Sequence, residues 1–390
     1  MSYFFKAVYN FKGTFYFLIL ILVFELPACK VNRKISKIDE AGNGRINNVF
    51  DLTCLSKPIT DLKIYSKNID VGKLEAFDID SHGNIFYARL GDLNKKIKGK
   101  DIAHEVFIYK AKPNQKPQEY MTLKYFGHPY NISIEEDRGE TFLWISSNGS
   151  KHNTGKYWDE RSVSRIKYEA GKIYDKGYGG ETFFLNNNEL KTQVAINKEN
   201  DLICIASEKG KDWSFYIYKL SQVKALPDTT FTFKVTIGGE EIGSKEQTII
   251  KRVKGHDLSR LTPLGTFTVP GDRENKPGGL NSFWMQGFSI DKNGYVYFYE
   301  GEGNRQGRLA RAYLTILDIH GNIIGSRTKV EAISNSKELD KAGIINNRGN
   351  LEPEGMAIRG DYIYLGFLSH KVGSNKKGRK ANIFQYKIHY

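Results

Sequence analysis

A hairpin pattern that recurs along the chain constrains the fold more than any other feature. Its clearest copy spans residues 285–299, where Phe288 and Ile290 precede an Asp-Lys-Asn-Gly turn and a second alternating run begins at Tyr295. Apolar residues at every second position on both sides of a Gly-containing turn are typical of a β-hairpin. Similar patterns occupy four further segments of the chain, at 75–87, 130–145, 192–205 and 354–366.

Five copies of a hairpin predict an all-β chain folded as a β-propeller, because radial repetition of small antiparallel sheets is that architecture. A third alternating strand follows each hairpin, so we expect five blades of four antiparallel strands. The last blade has its third strand at 381–388 and the sequence stops at Tyr390. We therefore expect the early alternating segment 61–66 to complete this blade and close the ring.

The stretch 227–282 is longer than a single outer strand requires. Within it, 231–235 fits an outer strand, and the remainder is expected to form an insertion on one face. A sixth blade hidden in this stretch is the alternative to the count of five. Helix signals are weak throughout, and one short helix is predicted at 335–342.

The composition supports a packed core and a basic surface. The chain is 40% hydrophobic and has 23 Tyr and 23 Phe residues, which suit pleated strands. Its formal net charge of +14 attracts anionic partners such as nucleic acid, acidic glycans, wall polymers or membrane surfaces. No zinc-finger spacing or RNP-like stretch is present, so nucleic acid is not the expected partner. A solvated lysine-rich surface is the alternative explanation of the charge.

The N-terminal region predicts export. Residues 1–28 combine two early lysines with the apolar run 14–24, which is too short to span a bilayer comfortably. The segment ends Leu-Pro-Ala before Cys29, and this resembles the bacterial lipoprotein signal, in which the cysteine is lipidated. Cleavage by an ordinary signal peptidase is the alternative. We expect 29–58 to be a tether, 59–390 to be the propeller, and the protein to be lipid-anchored or secreted.

Three cysteines are present, and two of them lie beyond the signal region. Outside the cytoplasm Cys54 and Cys204 could form a disulfide. Cys204 is surrounded by apolar residues, so two separate thiols, one of them packed in a core, are the alternative.

Polar residues at the start of the inner strands form the first candidate site. When the repeats are superposed, six side chains are expected to meet at the mouth of the central channel: Glu75, His128, Gln193, Gln286, Glu352 and Glu354. Carboxylates and amides suit a hard cation or a polyol. We expect no cofactor, although these residues are compatible with a cation bound at the channel mouth. The alternative is that these groups satisfy loop backbones. A Glu75/Glu354 pair would also permit glycoside hydrolysis.

The loop 301–311 is the second candidate site, because its glycines allow close approach and Arg305 and Arg308 could bind phosphate. A long solvated hairpin loop is the alternative. No nucleophile elbow, zinc-protease motif or phosphate-binding loop occurs in the sequence, so no residue is assigned a catalytic role.

Three stretches together resemble a known family. They are 125–128 with 132–135 and 143–144; 286–290 with Tyr297 and 300–301; and 349–356 with 364–367. Their order is similar to that in the five-bladed propeller shared by receptor-binding proteins of phages of Gram-positive bacteria and by teichoic acid biosynthesis protein C, to which helveticin-type bacteriocins look related. Pro129 and the lipoprotein-like signal depart from that pattern. The resemblance implies binding at a cell envelope, to a wall glycopolymer.

These observations predict an exported, monomeric cell-envelope propeller that binds a carbohydrate or anionic glycopolymer and contacts the membrane only through an N-terminal lipid. One alternative is a propeller hydrolase that acts on glycans or phosphate esters. The other is a helveticin-like secreted antibacterial protein.

Overall fold

Five small antiparallel sheets make up the described part of the chain. A computed structural model describes residues 60–63, 74–91, 96–97, 100–101, 105–115, 117, 119–151, 159–186, 189–237, 245–271, 280–303, 311–330, 350–370 and 380–388. The sheets lie in a ring and form a five-bladed β-propeller with four-strand blades, which confirms the predicted fold. No helix within these ranges is long and apolar enough to cross a membrane.

The strands follow the chain in blade order. Strand β1 (Thr60–Lys63) comes first. Blade I contains β2 (Leu74–Ile79), β3 (Ile85–Leu90), the short β4 (Lys96–Ile97) and β5 (Lys100–Asp101), β6 (Glu105–Ala111) and β7 (Tyr120–Lys124). Blade II contains β8 (Ile132–Asp137), β9 (Glu140–Ser147), β10 (Ser162–Lys167), β11 (Ile173–Tyr174) and β12 (Glu181–Phe184).

Blade III carries an inserted hairpin. Its segments are β13 (Gln193–Asn197), a 3-10 turn (Lys198–Asn200), β14 (Leu202–Lys209), β15 (Asp212–Lys219), helix α1 (Leu220–Lys224), β16 (Asp228–Ile237), β17 (Gln247–Asp257), a second 3-10 turn (Leu258–Arg260) and β18 (Gly265–Val269). Blade IV contains β19 (Trp284–Ile290), β20 (Val296–Glu302), β21 (Arg311–Leu317) and β22 (Ile323–Lys329). Blade V contains β23 (Asn350–Arg359), β24 (Tyr362–His370) and β25 (Lys380–Lys387).

The N-terminal strand closes the ring. Strand β1 pairs antiparallel with β25, with Thr60 opposite Ile383 and Lys63 opposite Lys380. Blade V thereby gains its fourth strand from the beginning of the chain, as predicted. This pairing covers the edge that β25 would otherwise present to other chains.

Two strands extend the outer edge of the preceding blade. Strand β11 pairs in parallel with β7 of blade I, and β17 pairs in parallel with β12 of blade II. Strands β16 and β17 pair antiparallel as one long hairpin. Residues 231–235, expected to fit an outer strand, lie in β16 at the outer edge of the blade II sheet, whereas β18 pairs with β15 as the outer strand of blade III. Phe231 instead stacks on Phe184 of blade II, with ring centroids 4.0 Å apart.

Side chains join the inner strands β2, β8, β13, β19 and β23, which do not share a backbone ladder. Asp78 accepts a hydrogen bond from the Ile134 N–H at 2.7 Å, and Ser133 accepts one from the Ile196 N–H at 3.2 Å. Blade I is therefore bonded to blade II, and blade II to blade III. Buried strand edges need such partners, because an unpaired backbone group in the interior is costly.

Arg359 of blade V completes these connections. Its Nε donates to the Ile79 carbonyl at 2.5 Å, and one Nη donates to the Ile134 carbonyl at 3.3 Å and to the Asp78 carboxylate. One guanidinium thus joins its own strand β23 to two further inner strands, β2 and β8. Cys204 packs in the blade III core with Ala195, whereas Cys54 and the predicted helix 335–342 lie outside the described residues.

Candidate ligand-binding face

The inner strands all begin at one end of the propeller, which we call the mouth face. Three of them carry a register shift there: around Glu75 in β2, around Gln286 in β19, and across Glu354 and Gly355 in β23. A β-bulge redirects the side chain of the extra residue. Glu75, Gln286 and Glu354, three of the predicted site residues, therefore each lie at a register shift.

The two glutamine side chains of the predicted set bind backbone groups. Gln193 is fully buried; its Oε1 accepts from the Tyr130 N–H at 3.0 Å and its Nε2 donates to the His128 carbonyl at 3.3 Å. Gln286 Nε2 donates to the Gly301 carbonyl at 3.0 Å. These two amides bind backbone groups of loops and strands. This matches the alternative considered for the six predicted channel-mouth residues, that their side chains satisfy loop backbones.

Asn131, beside the predicted positions, connects blade II to blade IV. Its Oδ1 accepts from the Phe288 N–H at 3.0 Å, and its Nδ2 donates to the Phe288 carbonyl at 2.5 Å. A side-chain amide therefore supplies both bonds that a neighbouring strand would supply. Gly287 allows this approach, because a Cβ at its φ of +154° would lie 3.2 Å from Asn131 Oδ1.

Glu75 and His128 meet at the mouth face. The Nε2 of His128 lies 3.2 Å from Oε2 of Glu75, and their side chains are 16% and 7% exposed. The His128 ring also packs on Tyr130, with centroids 4.7 Å apart. The pair links blades I and II, and the partial exposure of His128 leaves part of it accessible from solvent.

Glu160 is a residue that the sequence analysis missed. It lies in the connection between β9 and β10, is fully buried, and accepts a hydrogen bond from the His128 N–H through Oε1. Its carboxyl group occupies the space beside Gly127, whose φ is +113° and where any Cβ would clash with Glu160. Burial raises the pKa of Glu160 well above its ordinary value, although the bond from His128 opposes that effect.

The predicted glutamates of blade V lie in β23. Glu354 is 5% exposed, and Glu352 packs beside Gly303, where a Cβ would lie 3.1 Å from the Glu352 Cβ. At the same level Gly355 lies close to Ala76 of blade I. Glu354 and Glu75 thus stand on adjacent inner strands, and both carboxylates are almost fully buried.

The predicted phosphate loop is described only at its ends. Arg305 and Arg308 lie outside the described residues. At the borders of the loop, Arg311 and Glu302 form an ion pair at 3.0 Å, and each side chain is 38% exposed. Exposed pairs of this kind contribute little stability, so Arg311 can exchange this partner for another anion at low cost.

A cluster of possible metal ligands lies at the opposite end, where the inner strands turn. Ligand atoms of Asp80, His82 and Glu136 lie within 4.8 Å of one another. Asp80, however, accepts from the N–H groups of His82 and Asn84, at 3.0 and 2.7 Å, and so closes its own hairpin turn. These hydrogen bonds give Asp80 a structural role in the turn. The cluster lies at the opposite end of the propeller from the channel mouth, where the sequence analysis considered a bound cation.

Comparison with known proteins gives one distant relative. No protein-family model matches the chain. The chain is 22% identical over 318 residues to the "Putative major teichoic acid biosynthesis protein C" of Bacillus subtilis strain 168. The match covers 80% of this chain and 58% of that protein, so this chain spans less than two thirds of the relative's length.

The chain is similar to several solved structures at low TM-scores. One described as "Glycoside hydrolase" has 9% identity and a TM-score of 0.40, and the match covers 85% of this chain and 62% of that chain. A glycoside hydrolase family 43 arabinoxylan arabinofuranohydrolase from Bacillus subtilis has 8% identity and a TM-score of 0.36, with coverages of 83% and 66%. At these TM-scores the likeness carries no argument about ligands or chemistry.

Proposed function

We propose that the protein is an exported propeller that binds an anionic glycopolymer of the cell envelope, of the teichoic acid class, through its mouth face. The observation that carries this proposal is the relationship to the teichoic acid protein, which extends over 80% of the chain. The net charge of +14 supports it, because a polymer of phosphodiesters is attracted to such a surface. Export and lipidation at Cys29 belong to the same proposal.

The buried carboxyl groups favour binding over hydrolysis. Glu75 lies against His128 and is 7% exposed, and Glu354 is 5% exposed. Glu160 has the raised pKa that a general acid needs, but it is fully buried and its Oε1 accepts the His128 N–H. A glycosidase needs both of its carboxyl groups at the scissile bond. We therefore assign these groups to the architecture of the face.

Direct binding tests the proposal. The full-length chain, purified in detergent, is titrated with purified poly(ribitol phosphate) teichoic acid, and released sugars and phosphate are assayed in the same samples. We expect saturable binding without product. His128→Ala should weaken binding by about tenfold, which corresponds to about 1.4 kcal/mol. His320→Ala is the matched control, because His320 lies on an exposed turn at the other end of blade IV.

Two results would reject the proposal. Absence of binding to any wall polymer would remove the ligand class. Release of product that is lost in Glu75→Gln would instead establish the hydrolase alternative. For the export part of the proposal, radiolabelled palmitate should be incorporated into the wild-type protein in bacterial cells and not into Cys29→Ser.

A further inference from the structure

Lys251 is a partly buried cation that has a neutral partner and no acidic one. It lies on β17 of the inserted hairpin, and its Nζ donates to Oδ1 of Asn148 at 2.7 Å. The ammonium also lies 5.1 Å from the centre of the Tyr178 ring. Within the described part of the chain, Lys251 forms no ion pair with a carboxylate. Burial lowers the pKa of this lysine to about 8.

Buried polar groups fix the acceptor of this ammonium. Asn148 is fully buried, and its N–H donates to the Gly177 carbonyl at 2.6 Å. Its Nδ2 donates to Oγ of Ser162 at 2.8 Å, so its Oδ1 is the atom that faces Lys251. Ser162 Oγ is in turn hydrogen-bonded to Ser147 Oγ at 2.8 Å. The ammonium thus has one fixed, neutral acceptor for its three N–H donors.

Backbone contacts place Lys251 at the mouth face. Strand β9 ends at this face, and Asn148 and Gly149 follow it directly. A Cβ at Gly149 would lie 2.8 Å from the Cα of Gly127, so the two backbones are in close contact. Gly127 directly precedes His128. The ammonium of Lys251 is therefore held beside the backbone that carries the histidine of the mouth face.

The neighbouring charged groups do not neutralise Lys251. The guanidinium of Arg161 lies 5.6 Å from the ring of Phe233, which is the residue opposite Lys251 in the hairpin. Burial lowers the pKa of Arg161 as well, and Asp159 acts against that effect. At the same end of the hairpin, an ion pair at 2.5 Å joins Lys151 and Glu246. Three cations and two carboxylates leave a net charge of +1 among these groups.

We infer that Lys251 is the cation of the mouth face that binds a phosphate group of the polymer. A phosphodiester oxygen can accept the N–H groups that Asn148 does not use, and its charge supplies the missing counter-ion. Binding of an anion offsets the cost of burying an unpaired cation. Lys251 is only partly buried, so a ligand can reach it. This inference rests on the proposed function, since it takes a phosphodiester polymer as the ligand.

Polymer binding by two lysine variants of the same strand tests the inference. Lys251→Met keeps an unbranched apolar side chain and removes the charge. Lys254→Met is the matched control, because it removes an exposed charge that is paired with Asp228 at 2.6 Å. The full-length chain in detergent is titrated with poly(ribitol phosphate). Lys254→Met should bind like the wild type, and Lys251→Met about tenfold more weakly.

The salt dependence of the same titrations separates a phosphate contact from a structural role. Loss of one phosphate contact reduces the slope of log affinity against log salt concentration by about 0.7. This reduction should appear in Lys251→Met and not in Lys254→Met. All variants should keep the wild-type melting temperature.

Inorganic phosphate tests the cation without the polymer. The wild-type protein, carrying isotope-labelled lysine, is titrated with pH by NMR in the presence and absence of phosphate. The Lys251 signal is the one that is missing from Lys251→Met. Bound phosphate favours the charged amine, so it should raise the pKa of Lys251. Asn148→Asp places a carboxylate at the same position, and should raise this pKa without phosphate and weaken polymer binding.

The outcomes separate the inference from the proposed function. If the polymer binds Lys251→Met as tightly as Lys254→Met, the phosphate site is overturned and the proposed function stands. If phosphate leaves the Lys251 signal unchanged, the phosphate site is also overturned. If the wild type binds no polymer but phosphate still raises the pKa of Lys251, the proposed function fails and Lys251 remains an anion site.

Discussion

Glu160 and His128 show how one buried group can position a residue of the mouth face. The carboxyl of Glu160 lies behind the Gly127–His128 backbone, while the imidazole of His128 reaches Glu75. Sequence patterns revealed His128, because it precedes an alternating strand. They did not reveal Glu160, which comes from a connection without periodicity. The glycine at 127 was the available signal, since it marks a close approach without naming the partner.

The raised pKa of Glu160 predicts a pH dependence of stability. The folded protein keeps this proton at pH values where the unfolded chain has lost it. Its contribution is therefore fully present below the ordinary carboxyl pKa and is lost as pH rises through the raised folded value. Glu160→Gln cannot ionise. Relative to wild type, it should gain about 1 kcal/mol or more in unfolding free energy between about pH 5 and about pH 8.

Urea denaturation at several pH values measures this difference. Glu169→Gln is the control, because Glu169 is an exposed carboxylate paired with Lys172, and it should follow the wild-type profile. Identical pH profiles for the wild type and Glu160→Gln would show that Glu160 is ionised in the folded protein.

The ion pair between Arg359 and the buried Asp78 is expected to stabilise the folded protein. Arg359→Met should destabilise the protein by about 3 kcal/mol, because it leaves the Asp78 carboxylate buried without its cation. Burial already raises the pKa of Asp78, and Arg359 acts against that effect. Adding Asp78→Asn should recover more than about 1 kcal/mol of the loss, which a double-mutant cycle measures.

A surface pair provides the contrast for this cycle. Lys292→Met breaks an exposed pair with Asp361 and should change the unfolding free energy by less than about 0.5 kcal/mol. A loss in Arg359→Met as small as that in Lys292→Met would contradict the role of Arg359 as an interblade clamp.

The hairpin β16–β17 shows that a local sequence pattern can predict a strand but not the sheet that the strand joins. Alternation of Phe231, Phe233 and Val235 correctly indicates a strand with one buried face. It carries no information on which sheet buries that face. The strand joins blade II because β17 pairs in parallel with β12, and Phe184 completes a cluster with these aromatic residues. Pairing between segments about 70 residues apart is set by tertiary packing, which local propensity does not determine.

Ring closure by β1 is expected to stabilise the propeller. Deletion of residues 2–58 should leave the propeller intact, whereas deletion of residues 2–66 removes β1 and uncovers the edge of β25. The longer deletion should lower the melting temperature by at least about 5 °C and promote aggregation through the open edge. Differential scanning calorimetry and size-exclusion chromatography compare the two deletions. Equal melting temperatures would mean that β1 is dispensable for closure.

At the scale of the whole molecule, the repeat was sufficient to predict the propeller. Each hairpin is specified by neighbouring residues, so five local patterns add up to one architecture. The polar contacts of the mouth face are not repeated from blade to blade, so local patterns did not predict the contacts of Glu160 and Asn131. Function on a shared fold resides in such unrepeated contacts.

The net charge of +14 predicts that the affinity for an anionic polymer depends on salt concentration. A phosphodiester polymer releases condensed counterions when it is bound, so the logarithm of affinity should fall linearly with the logarithm of salt concentration. Two phosphate contacts imply about a tenfold loss for a fourfold rise in salt. Titrations of the full-length protein with poly(ribitol phosphate) at about 50 and about 200 mM salt measure this slope. A neutral oligosaccharide of the same sugar is the control and should show no slope. A flat response to the polymer would mean that the lysine-rich surface serves only solvation, and recognition would then have to rest on uncharged contacts.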